Sequence, residues 1–338
     1  MSEMTRNGIL AVGNFIVDDV KLIDAWPEQD MLASIRSERS SNGGGPYNVL
    51  KDLAAMGAGY PLQAAGLIGG DARGEWILRD CVGAGVGVEQ LHITEEAPTS
   101  YTDAMTVMAT GRRTFFHQRG ANALLTEKHV DFARTEAKHL HLGYLMLLDA
   151  MDEFVEEEEG RTRASILLER ALEAGLTTSV DMVSTEHGRF REIALSALPF
   201  TDVLVINEVE AGKVTGRNLQ GGTLDDCVEA ARELMGCGVR RQVVIHLPQG
   251  AVVVDDKGSV ERVKSLKLPE GFVAGATGGG DAFAAGYLHG WHEGWDVARS
   301  LQLAVCAAAA CLSDPTPSAG LCSVAECLKL GELYGADV

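Results

Sequence analysis

The sequence is short of positive charge. Its 338 residues hold 29 lysines and arginines against 48 aspartates and glutamates, a formal net charge of −19. Nucleic acids and anionic membrane surfaces are gripped by clustered cations, so neither is an expected partner. Long apolar runs are missing too. The longest near the C-terminus, Leu303 to Leu312, is mostly alanine and too short to cross a bilayer. Met1 to Asn7 is polar, with no apolar stretch of signal-peptide type. The expectation is a soluble, cytoplasmic protein. Seven cysteines include no C-x-x-C pair, which argues against a zinc site or a disulfide framework and for buried, reduced thiols. Two common nucleotide-binding loops are absent as well: there is no G-x-x-x-x-G-K-[ST], and no G-x-G-x-x-G after a strand. An acidic chain of this kind can hold a polyphosphate only through a local device, such as backbone N–H groups, a helix N-terminus or a metal ion.

Apolar residues make up 46% of the chain, enough for a sizeable core. Short apolar runs at Gly8–Phe15, Leu62–Ile68, His139–Leu147, Thr177–Val183, Val203–Ile206 and Val243–Leu247 read as buried strands. Between them lie stretches of helical period, among them Tyr47–Met56, Thr162–Ala174 and Leu224–Met235. That alternation implies an α/β fold, a doubly wound and mostly parallel sheet with helices on both faces. Met31–Arg39 and Tyr101–His117 instead alternate apolar and polar residues, the second around a Gly111-Arg112 turn. They read as antiparallel strands with one face exposed, a small β-sheet lid built from parts of residues 16–42 and 99–118. Residues 1–338 are expected to form one domain. The Glu156–Glu159 run reads as a solvated helix start.

Three clusters carry chemistry. Gly275-Ala-Thr-Gly-Gly-Gly-Asp281 leads into a helical stretch. Glycines 278, 279 and 280 would leave their N–H groups bare at a helix N-terminus, an anion hole without any lysine. Asp281 beside it could accept a proton from an attacking hydroxyl. A plain glycine-rich turn would account for this segment taken alone. Asn42-Gly-Gly-Gly-Pro-Tyr-Asn48 opens a second helix, where Gly44 and Gly45 permit close approach and the Asn48 amide can face a ligand. Here too a simple N-terminal turn is an equal alternative. Asn207 and Glu210 follow the Val203–Ile206 strand, at the end where parallel sheets bind ligands and where Mg²⁺ can be held through water. Asp18 follows the first strand. His139 and His141 share one strand face but sit among apolar residues, which favours buried, hydrogen-bonded histidines over a metal site. Trp291 and Trp295 read as packing.

Together these segments resemble the ribokinase-like (PfkB) family of carbohydrate and nucleoside kinases. Gly275 to Gly286 is similar to its second signature, D-T-x-G-A-G-D-x-F-x-x-G, and Gly43 to Asn48 to its first, G-G-x-[GAP]-x-N. Asn207 and Glu210 match its N-x-x-E, Gly13 and Asp18 its early G-x-x-x-x-D, and Gly69 to Gly74 its G-D-D-x-x-G. The matches run in family order from about residue 8 to 320. The resemblance implies an ATP-dependent kinase acting on a hydroxyl of a small sugar or sugar acid. Asp281 would be the base, Gly278–Gly280 the anion hole, and Asp18, Gly44, Gly45 and Asn48 the sugar contacts. Asn207 and Glu210 would lie on the nucleotide side, Glu210 holding Mg²⁺ through water. Pro46 is similar to sugar-specific members of the family, while a nucleoside kinase or a catalytically silent binding protein are the alternatives. Arg119 falls where sugar-acid kinases of the family place a substrate arginine. In many members the lid also forms a homodimer interface. Two departures matter. Gly275 stands where the signature has an aspartate that helps bind a monovalent cation, which argues against that site here. Pro248 stands in the loop approaching the nucleotide, where it offers no N–H.

Overall fold

A computed structural model describes residues 6–158 and 160–335. Fifteen strands are present among them. The first eight are β1 (Ile9–Gly13), β2 (Ile16–Ile23), β3 (Ile35–Gly43), β4 (Leu62–Gly69), β5 (Gly87–Thr94), β6 (Tyr101–Val107), β7 (Arg113–Gln118) and β8 (His139–Leu145). The remaining seven are β9 (Phe154–Val155), β10 (Arg161–Thr162), β11 (Thr177–Met182), β12 (Val203–Asn207), β13 (Gln242–Leu247), β14 (Gly250–Asp255) and β15 (Val260–Lys264). Nine of them form one sheet in the order β15-β14-β13-β12-β11-β8-β1-β4-β5. The seven from β13 to β5 are parallel, and β14 and β15 add an antiparallel hairpin edge.

The alternation of side chains along each strand explains why the parallel strands are apolar throughout. In β1, Leu10 and Val12 join one core, while Ile9 and Ala11 join another on the opposite face. In β12, Leu204 and Ile206 join the first core, and Val203 and Val205 the second. Helices cover both faces, so no face of these strands meets water. On one side lie Arg163–Glu173, Phe190–Ala197 and Leu224–Gly236, and on the other Gly45–Ala55, Gly279–Glu293 and Val297–Cys311. His139 and His141 are fully buried in this framework and are tied to Thr177 and Ser179 hydroxyls at 2.7–2.9 Å. No helix of the described residues is long and apolar enough to cross a membrane.

The lid is a second sheet, in the order β3-β2-β6-β7. It differs from the sequence expectation in two ways. Its central pair, β2 and β6, is parallel, whereas β2–β3 and β6–β7 are antiparallel. β2 continues from β1 and β6 follows β5; both leave the large sheet from parallel strands and so run the same way. The strand expected at Met31–Arg39 is displaced to Ile35–Gly43, because its partner β2 ends opposite Ile35. Met31 and Leu32 precede it with their side chains in solvent. The glutamate run forms a single exposed 3-10 turn at Glu156–Glu158, and Glu159 lies outside the described residues.

Candidate active site

Tyr144 of β8, Asp181 and Met182 of β11, Asn207 of β12 and His246 of β13 stand at the C-terminal ends of neighbouring parallel strands. They floor a cleft of about 560 Å³ roofed by the lid. Its walls bring together Asp18, Gly44, Asn48, Asn207, Glu210, Gly278, Gly279, Gly280 and Asp281. Nearly every residue singled out in the sequence therefore meets at one place.

Asp281 is the third residue of the helix Gly279–Glu293, and Gly278 is its N-cap with φ +80°. That left-handed backbone favours glycine, and a Cβ there would also stand 2.6 Å from Pro317. The N–H groups of the first turn have no acceptors inside the helix and open toward the cleft end of the dipole. Asp281 is almost fully buried beside them. Its carboxylate accepts a 2.8 Å bond from Asn48 Nδ2 and a 2.5 Å bond from the Tyr144 hydroxyl. Burial raises its pKa to about 6, although both of these bonds pull it down. At neutral pH it is an ionised base with a proton affinity well above that of an ordinary aspartate.

Gly44 caps the helix Gly45–Ala55 with φ +88°, packed against the Asn14 carbonyl. The next residue, Gly45, lies just behind the cleft, and a Cβ on it would strike the Tyr144 ring at 2.7 Å. Its contribution is to let Tyr144 reach Asp281. Asn14 helps by accepting from the Tyr144 N–H at 2.6 Å. Asn48 donates to Asp281, and its carbonyl oxygen accepts from Asn42 at 2.7 Å, which leaves its second N–H for the cleft. Asn42 in turn donates to Ser318. Asp18, in the middle of β2, faces Thr102 across the lid sheet and lies over Gly43. Burial pushes it up to about 7, with Asp281 and Asp19 adding to the rise.

Asn207 and Glu210 form a capping box. The Asn207 side chain accepts from the N–H groups of Val209 and Glu210, and Glu210 accepts from the Asn207 N–H at 2.9 Å. Glu210 also accepts from Ser184 at 2.7 Å and from the Asn207 amide at 2.8 Å. Burial raises its pKa. Asp181 lies in the same part of the cleft and is also raised, by burial and then by Glu210. One Asp181 oxygen accepts from the Met182 N–H, while the other has no protein donor among the described residues. Two carboxylates forced together in this way fit a hard divalent cation held largely through water. Among the described residues no three histidine, cysteine or carboxylate side chains converge tightly enough to ligate a metal directly.

The sequence model of the pfkB family carbohydrate kinases matches residues 7–321. The chain belongs to the PfkB family. Among curated proteins it is 29% identical over 302 residues to an ATP-dependent ribose-1-phosphate kinase of Halopiger xanaduensis, covering 88% of each chain. Its fold is that of the Arabidopsis thaliana ribokinase solved with ribose and ATP, at TM-score 0.78 and 21% identity, over 96% of this chain and 98% of that one. A Methanocaldococcus jannaschii nucleoside kinase of the ribokinase family superposes at TM-score 0.74 with 17% identity, over 98% and 99%.

In this PfkB carbohydrate kinase Arg119 is not brought into the cleft. It caps a 3-10 turn and forms an ion pair of 2.6 Å with Asp149, both side chains being substantially exposed. It stands near enough to His117, which does line the cleft, to help burial push that imidazole down to about 4. Sequence reading missed Tyr144 and Asp181. Asp181 had a usable signal, since it sits near the C-terminal end of a parallel strand as Asn207 does. Tyr144 shares that strand-end position, but its bond to Asp281 depends on a glycine in a distant helix, which spacing does not show.

Proposed function

We propose that this PfkB kinase moves the γ-phosphoryl group of ATP to a hydroxyl of an uncharged, ribose-like sugar. The observation that carries the reading is Asp281. A buried carboxylate with raised proton affinity is held by Asn48 and Tyr144 beside the bare first turn of its own helix. The acceptor hydroxyl gives its proton to Asp281 as its oxygen bonds to the γ-phosphorus. The bond from that phosphorus to the ADP oxygen breaks, leaving a sugar phosphate and ADP. The N–H groups of Gly278–Gly280 stabilise charge on the transferring group. Asp18 accepts from sugar hydroxyls, and Gly44 and Asn48 shape the floor beneath them. Asp181, Glu210 and Asn207 would hold Mg²⁺ through water, and the ion would neutralise phosphate charge when bound.

An uncharged acceptor is favoured because no lysine or arginine is among the described residues lining the cleft, and the nearest, Arg113, is bonded to Thr277 on the phosphate side, beside the helix cap Gly278. Ribose, bound by the Arabidopsis thaliana ribokinase, and ribose 1-phosphate, the anionic acceptor of the Halopiger xanaduensis kinase, both support a pentose. A nucleoside acceptor is the second reading, favoured by the likeness to a nucleoside kinase. Assaying ADP release over ribose, ribose 1-phosphate, sugar acids and nucleosides separates these readings. Ribose should turn over, sugar acids should not, and no turnover with any compound would leave a silent binder.

The outer side of the lid supports a homodimer. Trp26, Met31, Leu32, Met108 and Phe116 are each more than half exposed, an apolar concentration unusual for a free surface. Sedimentation should give a dimer for the wild type and a monomer for Leu32→Glu; a monomeric wild type ends this idea. Use of ATP and seven free thiols fit a cytoplasmic setting, which localisation of a tagged chain would test.

A further inference from the structure

The cleft is too acidic to hold a triphosphate unaided. Asp18, Asp181, Glu210 and Asp281 all line it. Its two histidines do not help, since burial lowers His117 and His246 to about 4 and keeps both neutral. Backbone N–H groups and a divalent ion supply part of the compensation. A fixed cation carried by the lid stands at the border of the site.

Arg113 is the first residue of β7, opposite Thr106 of β6. Its Nη1 donates to the Thr277 hydroxyl, and Thr277 borders the cleft immediately before the helix cap Gly278. Its Nη2 lies beside Gly275: a Cβ at that position would stand 3.2 Å from it, and 2.7 Å from Pro315 Cα. Arg36, Arg73 and Arg119 in the same region are paired with Asp24, Asp19 and Asp149. Arg113 makes no ion pair among the described residues; its bond to Thr277 is to a neutral hydroxyl. A half-buried guanidinium with donors to spare, in a chain of net charge −19, is an unusual thing to leave without an anion.

We propose that Arg113 is a phosphate-site residue carried by the lid, its guanidinium supplying the fixed positive charge beside the anion hole. The proposal rests on the kinase reading above. Arginine suits the task because its planar fork can hold Thr277 with one nitrogen and a phosphate oxygen with another. Since the charge rides on β7, closing the lid and neutralising the phosphates become a single event. An open lid leaves the cleft acidic, which disfavours transfer to water. Gly275 belongs to the same arrangement. The sequence places glycine where the family signature has a cation-binding carboxylate, and a guanidinium occupies that neighbourhood instead. A covalently attached charge also makes a monovalent ion unnecessary.

The test compares wild type, Arg113→Ala and Arg113→Lys with the sugar that turns over, at fixed ionic strength. Arg113→Ala should lose roughly 10²–10³-fold in kcat, the scale of losing one oxyanion donor, while the sugar KM stays within about threefold. Arg113→Lys should recover part of the loss. Guanidinium ion at millimolar concentration should restore Arg113→Ala by about tenfold or more and leave the wild type unchanged, because it replaces the missing group itself. An alanine variant within about threefold of wild-type kcat overturns the proposal. So does a loss confined to the sugar KM, which would make Arg113 a reader of the acceptor, or a folded variant with no guanidinium response. If the wild type turns over nothing, the kinase reading has failed, and Arg113 is then judged by calorimetric titration with ATP. Equal affinity of wild type and Arg113→Ala would overturn the phosphate-site role in that case as well.

Discussion

The Tyr144 hydroxyl donates to the Asp281 carboxylate at 2.5 Å, joining the end of β8 to the first turn of the helix Gly279–Glu293. Burial, and then the charge of Asp281, hold the Tyr144 pKa well above its ordinary value, so the phenol remains a donor throughout the working pH range. With the bond from Asn48, this one offsets part of the rise that burial imposes on the Asp281 pKa.

Asp281→Asn should abolish the base while preserving the bond from Tyr144. The kcat should fall by roughly 10²–10⁴, the usual range for loss of general-base catalysis, with the affinity for ATP nearly unchanged. In the wild type, activity needs the ionised carboxylate. The rate should therefore fall as pH drops through about 6, where Asp281 takes up its proton. A variant retaining most of its kcat would remove Asp281 from the mechanism.

Tyr144→Phe deletes a bond that lowers the Asp281 pKa. The base should then titrate at higher pH, so the acid limb of the rate profile moves up while the plateau above it stays within about tenfold of wild type. An unmoved limb would mean that Tyr144 serves packing only. The split between limb and plateau is what distinguishes the two.

Asp52 lies one turn beyond Asn48, fully buried, with neither carboxylate oxygen in hydrogen-bond geometry with a partner among the described residues, although Ser318 stands near enough to pull its pKa down. Burial is the main cause of a pKa well above the usual carboxylate range, and Asp281 adds to it. A raised acid binds its proton more tightly folded than unfolded, so its cost to stability is absent at low pH and grows as pH rises above the unfolded value. Asp52→Asn should melt close to wild type at pH 4 and at least about 1.5 °C higher at pH 8, the shift produced by about 1 kcal/mol in a chain of this size. A variant less stable at pH 8 would show that the carboxylate has a partner in solution.

Arg119→Ala breaks an ion pair between exposed side chains, worth about 0–1 kcal/mol. With an uncharged sugar its kcat and KM should stay within about threefold of wild type. A tens-fold rise in KM for an anionic acceptor, with ATP unaffected, would bring Arg119 back as a carboxylate reader and reverse the substrate assignment.

Much of this protein is local and could be read from the chain alone. The parallel sheet follows from apolar strands spaced by amphipathic helices, because strands buried on both faces lose their period-2 pattern. Gly278 to Asp281, Gly44 to Asn48 and Asn207 to Glu210 each carry their own turn and cap, so their order along the chain was enough to nominate them. Tertiary structure decided how they are used. Asn48 lines the cleft as expected, but its bonds to Asp281 and Asn42, partners 233 and 6 residues away, are tertiary. Arg119 was expected in the cleft; it turns to Asp149, since a surface carboxylate 30 residues along was invisible to spacing. Tyr144, Asp181 and Arg113 gained their places through contacts among separate strands, helices and the lid. A backbone turn is set by a few neighbouring φ and ψ angles. The direction and charge of a long side chain are set by whatever the fold packs beside it.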